Sequence, residues 1–283
     1  MKIYLGLVVT GIYISISLFC IILIGCEQKH ELGDLKMTQM EIEINKDGIK
    51  ALASKKIFFG HASVGYNILA GIKEITGNQD DFMSINIKET NKFDEINEPA
   101  IYHSINGKNG FPKLKCDNFK NLLIDKNLGE KLDIAFFKFC YVDFNDTSDI
   151  QEIFDYYSNT IIEIKSRYPH LKILHVTSPL YAYSFTFKSK IKNFLLGDIS
   201  NIKRNQYNNL LKDKFKTVDR IYDLALIEST KPSGEREIFT YKGDEYFSLV
   251  KSYTNDGGHL NKYGQFIAAR GLLEVLTEMS VTN

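Results

Sequence analysis

Residues 56–65 read Lys56-Ile57-Phe58-Phe59-Gly60-His61-Ala62-Ser63-Val64-Gly65. Ile57, Phe58 and Phe59 are apolar without alternation, which predicts a strand covered on both faces, as in a parallel sheet. Directly after it, Ile68, Leu69, Ile72 and Ile75 recur at helical spacing over residues 64–76, predicting an amphipathic helix. A buried strand that passes into a helix within three residues is a unit of α/β layering. Ser63 occupies the turn between them. There it can cap the helix with its hydroxyl. At the carboxyl edge of a sheet, beside helix N-terminal amides that stabilise negative charge, it can also serve as a nucleophile. The two roles are compatible.

The same reading extends along the chain. Residues 133–140 (D-I-A-F-F-K-F-C), 171–177 and 218–224 predict further strands, and residues 150–167, 202–215 and 262–278 predict further helices. Pro179 stops the third strand, and a short helix begins near Leu114. Four strands separated by helices predict a mostly parallel sheet in a three-layer α/β/α sandwich, with the chemistry at the carboxyl ends of the strands. Two connections, residues 179–200 and 225–255, exceed what a compact domain requires and predict binding loops or lids, or else disordered segments. In the first, Tyr181, Tyr183, Phe185 and Phe187 alternate; this is either a half-buried strand or a pocket wall, and Tyr181 and Tyr183 are candidate substrate-pocket residues.

Composition narrows the function. Among 283 residues, 35 Lys and Arg balance 35 Asp and Glu, so no electrostatic footprint for a polyanion exists and nucleic-acid binding is excluded from the expectations. None of the four cysteines stands in metal-ligand spacing, and no structural metal is expected. The amino end has one charge, Lys2, then an apolar run over residues 3–24 ending in Leu23-Ile24-Gly25-Cys26. This is an export signal, or else an uncleaved membrane anchor, since about 20 apolar residues cross a bilayer. Either places the rest of the chain outside the cytoplasm. Residues 26–50 are polar and read as a spacer, leaving 51–283 as the folded domain. Export permits a disulfide between Cys116 and Cys140, with buried thiols as the alternative.

Asp256-Gly257-Gly258-His259-Leu260-Asn261-Lys262-Tyr263-Gly264 precedes the last helix. An acid three residues before a histidine, in a glycine-loosened turn, lets the carboxylate bend back onto the imidazole and fix its tautomer, as a general base requires. Alone, the same aspartate could simply cap the turn.

Two resemblances follow from these residues. The Leu23–Cys26 tetrapeptide resembles the lipobox of bacterial lipoproteins, implying cleavage before Cys26, a lipid on that cysteine and a cell-envelope location. Ser63 after the first strand, together with D-x-x-H-x-N-x-x-G before the last helix, resembles the SGNH (GDSL-type) hydrolases over about residues 52–280. That family implies a flavodoxin-like sheet and, residue by residue, Ser63 as nucleophile, His259 as base and Asp256 as its orienting acid, with no cofactor. His61 is expected to pack. The family's second block implies an oxyanion donor within residues 103–112, with Gly110 as the candidate. Its third block, G-x-N-D, falls on Cys140, Tyr141, Val142 and Asp143. Valine cannot donate a hydrogen bond, so either another donor, such as Asn109 or Asn145, completes the hole or the oxyanion is stabilised less. The resulting expectation is an exported, lipid-anchored serine ester hydrolase acting on an acylated carbohydrate or a small lipid ester. Its rivals are a non-catalytic binding lipoprotein and an acyltransferase.

Overall fold

The computed structural model describes residues 46–77, 84–183 and 198–282. The export signal, Cys26, most of the polar spacer, Phe185 and Phe187 lie outside the described residues.

Six strands form one sheet: β1 (Lys56–His61), β2 (Ile87–Glu89), β3 (Ala100–Ile105), β4 (Ile134–Phe137), β5 (Lys172–Val176) and β6 (Arg220–Tyr222). Their order is β2-β3-β1-β4-β5-β6 and every pairing is parallel. Without the short edge strand β2, this is the strand order of flavodoxin. The chain leaves β1 to one side for β3, then crosses back over β1 to β4. The carboxyl end of β1 is therefore the switch point, where loops diverge and a crevice opens.

Helices cover both faces. One layer holds α1 (Lys46–Ala53), α2 (Val64–Gly77) and α7 (Lys262–Val281) packed together; the other holds α3 (Pro112–Lys120), α4 (Ile150–Arg167) and α5 (Ile199–Phe215). Alternate side chains of the central strands feed the two layers, as pleating requires. Phe58, Ala135 and Phe137 join Phe119, Tyr157, Ile161 and Tyr207 in one cluster, while Ile57, Phe59, Ile134 and Phe136, equally buried, do not belong to it. Each such aromatic or aliphatic side chain removed from water contributes about 1.5–3 kcal/mol. Helix starts follow local chemistry: Asp149, Asp198 and Asn261 each accept an N–H three residues on, capping α4, α5 and α7. The remaining elements are α6 (Leu224–Ser229) and an antiparallel hairpin of β7 (Ile238–Tyr241) and β8 (Asp244–Phe247).

Several expectations need correction. The sheet has six strands rather than four, because β2 and β3 were not anticipated. The strand expected over 133–140 ends at Phe137, where the chain leaves the ladder and makes a 3-10 turn at Tyr141–Asp143. The strand expected over 218–224 is only Arg220–Tyr222, since Val218 is exposed and Asp223 caps α6. The connection 225–255 is structured by α6 and the hairpin. Helix α1 begins at Lys46, inside the stretch read as spacer, because Ile49 and Leu52 are buried. Cys116 and Cys140 are separate buried thiols, and burial pushes the Cys116 thiol well up.

Candidate active site

Ser63 ends the turn after β1 with φ +50°, a left-handed conformation that costs a non-glycine residue free energy. A hydrogen bond from the Tyr66 N–H to the Ser63 carbonyl, 2.9 Å, starts α2 from this residue. The hydroxyl does not cap the helix. Instead Ser63 Oγ lies 2.6 Å from His259 Nε2. His259 Nδ1 lies 2.6 Å from Asp256 Oδ2, and Asp256 Oδ1 accepts the N–H groups of Gly258 and His259 at 2.9 and 2.8 Å. Partial burial opposes the Asp256 charge, but the Gly258 N–H, the His259 ring and the His259 N–H outweigh it and hold the carboxyl well below its usual range. An ionised Asp256 can only accept, so Nδ1 carries a proton, and in the neutral ring Nε2 presents its lone pair to the serine hydroxyl.

The loop bearing Asp256 and His259 is braced from three sides. Asn67 of α2 accepts the Leu260 N–H at 3.2 Å, which ties the loop to the helix that Ser63 opens. Thr254 Oγ1 accepts the Gly257 N–H at 2.9 Å. Tyr181 donates its hydroxyl to the Asp256 carbonyl at 3.0 Å, and the Ala182 N–H bonds the Gly257 carbonyl at 2.8 Å. Tyr181 thus holds the acid's loop and forms, with Tyr141 at 5.5 Å between ring centres, an aromatic wall beside His259. Tyr183 is elsewhere, stacked on Phe239 of β7 at 4.5 Å.

The loops after β3 and β4 carry the residues expected at the oxyanion. The Gly110 N–H donates to Asp143 Oδ1 at 2.7 Å. Gly110 is therefore corrected as an oxyanion donor, because its N–H is already given to the aspartate. Asp143 Oδ2 also accepts the Cys140 N–H at 2.6 Å and Lys115 Nζ at 2.7 Å. Val142 is exposed and offers no donor. Asn145 turns its oxygen onto the Thr147 N–H. Asn109 is exposed, and Lys115 Nζ donates to its Oδ1 at 2.9 Å. The Ser63 N–H has no acceptor among the described residues.

His61 is buried and outside the relay. Its Nε2 lies 3.1 Å from His103 Nδ1, and Gly65 packs against its ring. Burial first, then Lys138 and His103, lowers its pKa to about 3, so the ring stays neutral. Among the described residues, no group of three His, Cys, Asp or Glu side chains is arranged to hold a metal ion. The sequence reading missed Lys115, the contacts of Asp143, Asn67 and the place of Tyr141. Asn67, on the helix that Ser63 opens, was open to suspicion, whereas Lys115 carries no local signal.

No family model and no curated protein matches the chain. Solved structures do. The lipase/acylhydrolase from Enterococcus faecalis is 12% identical, over 79% of this chain and 96% of that one, with a TM-score of 0.49. A GDSL-like lipase from Bacteroides thetaiotaomicron is 14% identical over 80% and 89%, TM-score 0.46. A family 3 carbohydrate esterase from Clostridium thermocellum is 14% identical over 80% and 96%, TM-score 0.39. The chain is similar to GDSL-type structures.

Proposed function

We propose that this chain is a serine ester hydrolase of the SGNH type, exported and held to a bacterial membrane by a lipid on Cys26. The observation that carries the catalytic half is the unbroken relay from Ser63 Oγ through His259 to Asp256, with both contacts at 2.6 Å. In the reaction Ser63 Oγ bonds to the ester carbonyl carbon while His259 Nε2 takes its proton. The carbonyl oxygen becomes an oxyanion. When it collapses, the carbon–oxygen bond to the alcohol breaks and His259 returns the proton to the leaving oxygen. Water then attacks the acyl-enzyme by the same route, releasing acid and free serine. Tyr141 and Tyr181, with ring planes 56° apart, place aromatic surface beside His259, which suits a sugar ring with its apolar and polar edges. An acylated carbohydrate is therefore the proposed substrate.

The engagement of Gly110 by Asp143 favours one other reading, a non-catalytic binding lipoprotein, because a donor offered to aspartate is not offered to an oxyanion. A fluorophosphonate probe separates the two. Covalent labelling of the folded wild type, absent in Ser63→Ala, means an activated serine; no labelling of either means a binder. The membrane half is tested apart from this. Cys26→Ala is expected to abolish palmitate incorporation and move the protein from the membrane to the soluble fraction, and unchanged fractionation would remove the lipid-anchor reading.

A further inference from the structure

His259 returns its proton to the leaving oxygen of the ester, so that oxygen and the group it carries stand beside the imidazole. Tyr141 flanks the imidazole, its ring 6.0 Å from the His259 ring at 80°. It also fills the space that Gly258 leaves open, where a Cβ would stand 2.8 Å from the Tyr141 hydroxyl oxygen. The phenol is thus packed against the loop that carries the base.

The backbone of Tyr141 is held by a buried charge. Arg204 of α5, only 6% exposed, donates from Nε to the Tyr141 carbonyl at 2.7 Å and from Nη1 to Asn201 Oδ1 at 2.5 Å. Asn201 accepts the Tyr181 N–H at 3.0 Å and donates to the Tyr181 carbonyl at 2.7 Å. One helix therefore holds both tyrosines that border the base. A guanidinium suits this task because its donors are planar and point in fixed directions, which an ammonium does not reproduce.

The two phenols are used differently. Tyr181 gives its hydroxyl to the Asp256 carbonyl at 3.0 Å. The Tyr141 hydroxyl donates to no acceptor among the described residues, and the residue is half-buried. Burial first, then Asp256, pushes its pKa up, with Arg204 pulling the other way, so at neutral pH the oxygen keeps its proton and can donate. Phenylalanine would supply the same aromatic surface. Tyrosine adds one fixed, unclaimed donor next to the base.

We propose that Tyr141 is a specificity-determining residue whose hydroxyl donates a hydrogen bond to an oxygen on the alcohol half of the ester, and that Arg204 is the positioning residue that holds it there. The class of substrate this selects is an ester of a sugar or another polyol, as against an ester of an alcohol with no further oxygen. The proposal rests on the hydrolase reading above. The test compares two butyrate esters, one of glucose at its primary hydroxyl and one of cyclohexylmethanol. Both carry the same acyl group on a CH2 attached to a six-membered ring, and only the first offers further oxygens. Acid release by the full-length chain in detergent gives kcat/KM for each.

The wild type is expected to prefer the glucose ester. Tyr141→Phe is expected to lower that preference by roughly 3- to 10-fold, the worth of one neutral hydrogen bond. Arg204→Lys should lower it comparably, and the double variant no further than the lower single one, since Arg204 acts through Tyr141. The ratio is the readout that a merely structural defect does not move, because loss of folded protein slows both esters alike. An unchanged ratio in Tyr141→Phe, or losses that multiply in the double variant, would overturn the proposal. So would a chain that labels with a fluorophosphonate yet leaves the glucose ester intact. Should Arg204→Lys fail to fold, Tyr141→Phe decides alone, as it removes no hydrogen bond donated within the described residues. A wild type that neither labels nor cleaves either ester removes the hydrolase reading and this inference with it, whereas a labelled chain whose preference is indifferent to Tyr141 removes this inference alone.

Discussion

Asp256 reaches His259 through both of its oxygens: Oδ2 meets the ring at 2.6 Å while Oδ1 takes the histidine's own backbone N–H at 2.8 Å. The carboxylate is thus an orienting group fixed to the residue it orients. Asp256→Asn can keep the backbone contact through its remaining oxygen, yet it presents NH2 to Nδ1 and favours the tautomer that protonates Nε2. Ester hydrolysis is expected to fall by about 1,000- to 10,000-fold with the fold retained. Steady-state kinetics alongside circular dichroism checks this, and a loss below tenfold would remove Asp256 from the relay.

The doublet Gly257-Gly258 exists because two tyrosine rings lie against it. A Cβ on Gly258 would stand 2.5 Å from Tyr141 Cζ, and one on Gly257, which has φ +95°, 2.7 Å from Tyr181 Cζ. Gly258→Ala is expected to cost about 1–3 kcal/mol through overpacking and to lower activity by displacing the ring or the histidine beside it. In Gly258→Ala/Tyr141→Ala the obstruction is gone, so the destabilisation should be less than the sum of the two single losses. Chemical denaturation of the four proteins measures the coupling, and strict additivity would show that the two residues do not compete for space.

Stability should depend on pH through Glu228. It is buried in α6, with Oε2 accepting the Leu180 N–H at 2.7 Å and Oε1 unpartnered among the described residues. Burial pushes its carboxyl up to about 8, while the Leu180 N–H, Lys138 and Arg204 pull the other way. A raised carboxyl pKa means that the folded chain holds a proton which the unfolded chain releases above about 4.5. Its contribution is thus greatest in acid, declines as pH rises from about 4.5 towards about 8, and then levels off. Glu228→Gln keeps the acceptor without the ionisation. It should be more stable than wild type at pH 8 by on the order of 4 kcal/mol, with little difference at pH 4. Thermal melts across that range test this; an unchanged slope in the glutamine variant would place its origin elsewhere.

The helices that carry an apolar stripe were legible in the sequence, and α4 was read over residues 150–167, the span it occupies. The strand β3 was not. His103 and Ser104 interrupt its apolar run, and His103 is tolerated inside because it lies against His61, a pairing 42 positions long. The β7–β8 hairpin was read as open loop because its two-residue turn is Lys242-Gly243, both at positive φ, where asparagine or aspartate would have signalled the same turn. The acid–histidine spacing in residues 256–259 was visible because it is local. The Lys115–Asp143 pair was invisible for the opposite reason: a charged residue on a helix reads as a solvated one, and only tertiary contact reveals a partner 28 positions away.

The backbone angle at Ser63 also limits which atoms can attack. A φ of +50° leaves no comfortable place for a second substituent on Cβ, so threonine, although it carries the same hydroxyl, would have to unwind the bend before its oxygen met the imidazole. Cysteine, unbranched, fits the bend. The geometry of one peptide unit thus admits a sulfur nucleophile here and shuts out the secondary alcohol.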